Sequence, residues 1–347
     1  MYKHIVKMRT FVKRENIKIP KTRIFETYFY NMNPCVLDIE TTGLSGNKSK
    51  IILIGILIPH SDYAEIIQFF SGSKDDERDI LLSCLNMLKE KSIDYLITYN
   101  GESFDIPFLK KRLELNGIDD ELNFYSYDLH KFIKYFSDIE KMTGSLIQNE
   151  LEKYMGISNL RKDPINGKDI PNLYMDFINE NDDICLNLIL NHNLNDLIQL
   201  SRSLKSNIYI DLHGAINRYG FISKPLSTSI TPRISRNKLM LFSDNLLIDK
   251  SFVYFSKSSE DISINIDANS KKLEIIQPLE EYNGSLYYDL NKLDYLPEIY
   301  DRLSFQDLDG FESNYLILAS DSQKKYREIN YLSMLLLEYV LKKFELY

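Results

Sequence analysis

The 347 residues carry a formal charge of −8 and are 44% hydrophobic and 27% charged. That apolar fraction supplies a core and excludes a disordered chain. The length asks for one large domain with a smaller companion, and no apolar run reaches the roughly 18 residues of a transmembrane helix.

Residues 1–30 hold eight basic side chains (Lys3, Lys7, Arg9, Lys13, Arg14, Lys18, Lys21 and Arg23) against Glu15 and Glu26, a net of +6, so the other 317 residues carry −14. Such polarity suits a core rich in metal-holding carboxylates beside a segment that meets phosphates; a solvated tail explains it equally well. The segment lacks the apolar stretch and small-residue cleavage site of a signal peptide. Cys-Val-Leu-Asp-Ile-Glu at 35–40 predicts a strand with acids at alternate positions, and the continuous apolar run 51–58 predicts a strand buried on both faces. Residues 64–70 read as a third strand, 76–91 as a helix, 94–99 as a strand, 105–116 as a helix stopped at Asn116-Gly117, and 124–128 as a short strand. Helical spacing follows near 145–155, 171–179 and 181–203. After about 205 the texture changes to alternating runs (238–242, 252–256, 262–266, 272–276, 285–288) separated by turns such as Asn283-Gly284, and a last helix covers 325–345. The expectation is a basic segment 1–30, a mixed α/β domain 31–205, and a smaller β-rich domain 220–347 ending in a helix. Cys35, Cys84 and Cys185 are far apart with no CxxC pair, which supports neither a disulfide framework nor a zinc knuckle and predicts small buried side chains in a reducing cytoplasm.

Three constellations carry chemistry. Asp38 and Glu40 stand at i and i+2 of a strand and share a face. Two carboxylates this close are unfavourable without a cation between them, and hard oxygen ligands select magnesium, manganese or calcium; an edge strand with solvent-facing acids is the alternative. Asp105 follows a strand end and an Asn100-Gly101 turn, where α/β folds gather their sites, although it also suits a helix start stabilised by the dipole. His192 and Asp196, at i and i+4 of a helix rich in Leu and Ile, interrupt its apolar pattern together, which points both into a polar cavity.

Taken in order, Val-Leu-Asp38-Ile-Glu40-Thr41-Thr42-Gly43-Leu44, Asn100-x-x-x-Phe104-Asp105 and His192-x-x-x-Asp196 resemble the three exonuclease motifs of the DEDD superfamily, whose fold is RNase H-like. Residues 35–203 further resemble the bacterial YprB-like RNase H-like proteins, through Tyr99-Asn100-Gly101, Phe104–Phe108, Asp128-Leu129-His130, Asn166–Tyr174 and His192-Asn193. One departure stands out. The His-type branch of the superfamily separates its His and Asp by five positions, whereas here the gap is the four of the Tyr-type branch, which leaves open where the base sits.

The resemblance implies an RNase H-like mixed sheet flanked by helices and a cytoplasmic 3′–5′ exonuclease acting on DNA or RNA at a single-stranded end, with no membrane partner. It implies two divalent cations, Mg2+ or Mn2+, about 3.5–4 Å apart, held by Asp38, Glu40, Asp105 and Asp196. His192 is implied as general base, an imidazole being the side chain that exchanges protons near neutrality. Thr41, Thr42 and Leu44 would touch the terminal nucleotide, with Asn100 and Phe104 as further contacts. A structure-specific endonuclease and a non-catalytic nucleic-acid-binding protein on the same fold are the rival readings; the four carboxylates being all present counts against the second. Lys110-Lys111-Arg112 reads as a solvated helix face rather than a phosphate contact, and His130 as a poorer base for want of an acid at i+4.

Overall fold

The computed structural model describes residues 8–120, 122–161, 164–248, 250–255, 262–303 and 314–346. Lys3 and Lys7 of the basic segment, and Ser256 of an expected strand, lie outside the described residues. The chain forms two compact units: one contains the residues up to Thr22 and Asn31–Ile210, the other Arg23–Tyr30 and the chain from Asp211 onward.

The elements, in chain order, are β1 (Arg9–Glu15), α1 (Arg23–Tyr28), β2 (Pro34–Thr41), β3 (Ile51–Pro59), β4 (Ala64–Phe70), α2 (Glu77–Glu90), β5 (Tyr95–Thr98), α3 (Asp105–Leu115), β6 (Tyr125–Asp128), α4 (Leu129–Phe136), α5 (Ile139–Thr143), α6 (Gln148–Tyr154), α7 (Ile170–Glu180) and α8 (Asp183–Ser203). All but α1 belong to the first unit. Its sheet runs β1-β4-β3-β2-β5-β6. The pairs β1/β4, β4/β3 and β3/β2 are antiparallel, while β2/β5 and β5/β6 are parallel. This is the mixed sheet flanked by helices that the sequence predicts.

Strand periodicity then sorts the side chains. Cys35, Leu37 and Ile39 of β2, with Ile54, Ile56 and Ile58 of β3 and Ile67 and Phe69 of β4, pack against Ile80, Leu81 and Leu85 of α2 and Phe108 and Leu109 of α3. Leu53 and Phe70 join a separate core with Tyr174 and Phe177 of α7 and Ile189 and Leu190 of α8. Because neighbours in a strand point to opposite faces, Asp38, Glu40, Gly55 and Gln68 share the face that α8 covers. Cys35, Cys84 and Cys185 are buried thiols. No helix among the described residues is long and apolar enough to cross a membrane.

Arg9–Glu15, within the segment read either as a tail or as a phosphate-meeting arm, is the edge strand β1, paired with β4 along its whole length from Arg9↔Phe70 to Glu15↔Ala64. Its charges conceal it in the sequence, yet charged edge strands are the usual protection against further strand pairing.

The second unit is β-rich, as expected. It adds α9 (Leu212–Tyr219), β7 (Phe221–Ser223), β8 (Thr228–Ser235), β9 (Lys238–Ser243), β10 (Phe252–Phe255), β11 (Ser263–Asp267), β12 (Lys272–Pro278), β13 (Glu280–Tyr282), β14 (Ser285–Asp289), α10 (Ile299–Leu303), β15 (Tyr315–Ser320), β16 (Gln323–Lys324) and α11 (Tyr326–Lys343). Its sheets run β10-β11-β12-β9-β8-β7 and β13-β14-β15-β16. α1 is tied into this unit by Tyr28, whose hydroxyl lies 2.6 Å from His213 Nδ1 and accepts from Asn330 Nδ2 at 2.9 Å.

Candidate metal centre

β2 delivers Asp38 and Glu40, the start of α3 delivers Asp105, and α8 delivers His192 and Asp196. Ligand atoms of Glu40, His192 and Asp196 all lie within 4.8 Å of one another. His192 Nε2 is 3.3 Å from Asp196 Oδ2 and 3.9 Å from Glu40 Oε1. Asp105 Oδ1 accepts the amide of Ile39 at 3.2 Å, which fastens α3 to the middle of the Asp-x-Glu strand. Asp38 Oδ2 accepts from Asn193 Nδ2 at 2.8 Å.

Glu40, Asp105 and His192 are each 7% exposed. Burial, and then the charges of Asp196 and Asp105, hold the Asp38 carboxyl well above the usual carboxylate range, against a smaller opposing pull from Asn193 and Arg161. Burial likewise pushes Asp105 up to about 7, in spite of the amide of Ile39, with Asp128 and Asp196 adding to the rise. Carboxylates that raise one another in this way, beside an imidazole nitrogen, form a donor set that calls for positive charge, and the chemistry fits a hard divalent cation.

Part of that charge comes from a residue that the sequence did not single out. Arg161 Nη2 meets Asp196 Oδ1 at 2.6 Å. The same guanidinium reaches Glu152 through Nε at 3.1 Å and Nη2 at 2.7 Å, and Glu152, 1% exposed, also accepts from Gln199 Nε2 at 3.2 Å. The fork geometry of arginine suits such a two-oxygen grip. Arg161 thus engages one oxygen of Asp196 while the other faces His192. No spacing rule connects Glu152, Arg161 and Asp196, which meet only in the fold.

The residues expected to touch substrate are less uniform. At the end of β2, Thr41 Oγ1 donates to the Gly43 carbonyl at 2.8 Å, and in the loop that follows Thr42 exchanges bonds with Lys50, its Oγ1 accepting the Lys50 amide at 2.9 Å. Leu44 at the tip is 88% exposed. Asn100 takes a left-handed conformation (φ 62°), which Asn tolerates better than most residues, and its amide donates to Asp128 Oδ1 at 2.8 Å. Phe104 packs against the α2/α3 core, its ring 5.4 Å from that of Phe108. Among the described contacts, none joins the side chain of Asn100 or Phe104 to the carboxylates.

Arg112 requires a correction. It is 8% exposed and does not lie on a solvated helix face. Its Nε and Nη2 meet the two oxygens of Glu77 at 2.7 and 2.6 Å, and its Nη1 donates to the Gly46 carbonyl at 3.0 Å. Glu77 also accepts the Ile51 amide at 2.8 Å. This pair ties down the middle and the far end of the loop that carries Thr42 and Leu44. Glu77→Ala leaves the guanidinium buried without its counter-charge, and an unfolding free energy lower by about 3–5 kcal/mol is expected in a denaturant titration. A loss below about 1 kcal/mol would show the pair to be dispensable.

Comparison with known proteins adds four findings. The family model of the RNase_H superfamily matches residues 35–207. A protein from Bacillus subtilis described as uncharacterized protein YprB is 32% identical over 181 residues, 49% of this chain and 41% of that protein. A DNA polymerase of Pyrococcus glycovorans is 50% identical over 88 residues, 23% of this chain and 11% of the polymerase. The chain therefore spans less than half the length of either relative. Among solved structures, the family B DNA polymerase of Pyrobaculum calidifontis aligns with 54% of this chain and 25% of its own at 17% identity and a TM-score of 0.41.

Proposed function

Residues 35–207 form a domain of the RNase_H superfamily, and on that premise we propose that the chain is a metal-dependent nuclease of DEDD type that hydrolyses phosphodiester bonds of DNA or RNA from a single-stranded 3′ end. The observation that carries this reading is the convergence of Glu40, His192 and Asp196 within 4.8 Å beside two further carboxylates, Asp38 and the buried Asp105.

In this reading Asp38, Glu40, Asp105 and Asp196 hold Mg2+ or Mn2+. When bound, such cations offset the charge that develops on a phosphate under attack. The protein's own groups do the rest. His192 takes the proton of the attacking water at Nε2, the nitrogen that faces Asp196 and Glu40. Asp196, gripped on one side by Arg161, keeps its orientation towards that imidazole. Thr41, Thr42 and Leu44 meet the terminal nucleotide, with the exposed Leu44 side chain supplying an apolar surface against a base. The relatives described as DNA polymerases support a nucleic acid as substrate.

The mode of attack is testable with one pair of substrates. A linear single strand labelled at its 5′ end should shorten progressively in Mn2+ to a ladder of labelled products, and a covalently closed circle of the same sequence should survive. Linearisation of the circle at a comparable rate would replace exonuclease with endonuclease.

A further inference from the structure

Three residues stand in register across the sheet. Asp38 of β2 pairs with Gly55 of β3, and Gly55 pairs with Gln68 of β4. All three lie on the face covered by α8. Between two side chains the glycine leaves a notch, and Asn193 of α8 fills it: a Cβ on Gly55 would lie 2.0 Å from Asn193 Oδ1. Glycine in the middle of a buried strand marks such a close approach.

Asn193 bridges the two ends of the row. Gln68 Nε2 donates to Asn193 Oδ1 at 2.8 Å and to the Leu190 carbonyl at 2.9 Å. Asn193 Nδ2 donates to Asp38 Oδ2 at 2.8 Å and to the Asp38 carbonyl at 3.3 Å. The direction of the chain follows from its one unambiguous member. A backbone carbonyl can only accept, so the Gln68 atom facing Leu190 must be the amide nitrogen. That nitrogen also faces Asn193, which must present its oxygen there and turn its NH2 group to Asp38. Asn193 is fully buried and Gln68 is 6% exposed, so flipping either amide would bury an unsatisfied polar group.

We propose that Asn193, oriented by Gln68 in the notch at Gly55, is a positioning residue that donates to Asp38 Oδ2 and leaves the other carboxylate oxygen to the divalent cation. The proposal rests on the metal-site reading above and assigns Gly55, Gln68 and Asn193 a shared task. It also accounts for a glycine and a glutamine in strands that are otherwise almost wholly apolar. Partners that orient metal ligands in this way typically change metal affinity by about 10–100-fold when removed.

The test uses the full chain, Mn2+ alone as probe, and titration calorimetry without nucleic acid. Asn193→Ala should weaken Mn2+ binding by about 10–100-fold. Gln68→Met, which preserves bulk and removes the donor, should weaken it by a smaller factor. Because Gln68 acts through Asn193, the double variant should bind Mn2+ no more weakly than Asn193→Ala. A role in packing alone would move the melting temperature and leave the affinity of the folded protein unchanged. Mn2+ affinity within twofold of wild type in a folded Asn193→Ala, or additive losses in the double variant, would overturn the proposal. Should Asn193→Ala fail to fold, Gln68→Met decides: weaker binding supports the relay and unchanged binding overturns it. A wild type that binds no Mn2+ would overturn the relay and the metal site together. Binding without cleavage of any nucleic acid, with the variants behaving as stated, supports the relay and overturns only the nuclease reading.

Discussion

Asp38→Asn should abolish phosphodiester cleavage while leaving the metal-free protein at least as stable as wild type. The carboxylate sits beside Asn193 with Asp105 and Asp196 close enough to raise it, so its charge costs stability until a cation offsets it. Without that carboxylate the site loses part of its hold on the cation. A loss of about 4 kcal/mol of transition-state stabilisation, on the order of 10³ in rate, is expected. Asp105→Asn should behave alike, and there the pH dependence has a definite sign. The folded-state value of about 7 lies above the usual carboxylate range near 3.9. The folded protein then binds more protons between these two values, and the stability present below about 4 is lost as the pH climbs through about 7. In chelator at pH 8, Asp105→Asn should therefore melt at a higher temperature than wild type. Added Mn2+ should reverse the order, because binding stabilises only the protein that binds. A variant that melts lower in chelator at pH 8 would contradict the electrostatic account of the site.

His192→Ala should lower the maximal rate by about 10²–10⁴, the range typical of a lost general base, while substrate affinity stays near that of wild type. The geometry behind this is the placement of Nε2 at 3.3 Å from Asp196 and 3.9 Å from Glu40, on the helical face that the i, i+4 spacing provides. Gly167 stands over the same nitrogen, its Cβ position 3.5 Å away, so the space around the imidazole is narrow. A histidine that only packs gives the opposite pattern: a lower melting temperature and near-normal turnover of the folded fraction. Turnover and melting measured on one preparation separate the two.

The site was legible wherever chemistry coincides with a period. Asp38 and Glu40 stand out because they alternate with core residues in a strand, and His192 and Asp196 because they share one face of an apolar helix. Gly55 and Gln68 carried a usable signal, since a glycine and an amide inside apolar strands break the pattern with no turn nearby. Glu152 and Arg161 carried none. One belongs to a short helix and the other to a loop, and their pairing with Asp196 exists only after chain segments far apart in sequence have met. Arg112 misled because a run of three basic residues resembles a solvated face, although the helix turns its third member inward to Glu77. The fold followed the same logic. Long apolar runs such as Ile51–Ile58 announced themselves, whereas β1 was hidden by the charges that suit an edge, and α1 by a position in the chain remote from the rest of its unit.

The most direct measurement is cleavage of end-labelled single- and double-stranded DNA and RNA by wild type and Asp38→Asn, each in Mn2+ and in excess chelator. Labelled products from at least one substrate with wild type in Mn2+, and from none with the variant or in chelator, are expected. Cleavage that persists in chelator, or no product from any substrate in Mn2+, would contradict a metal-dependent nuclease.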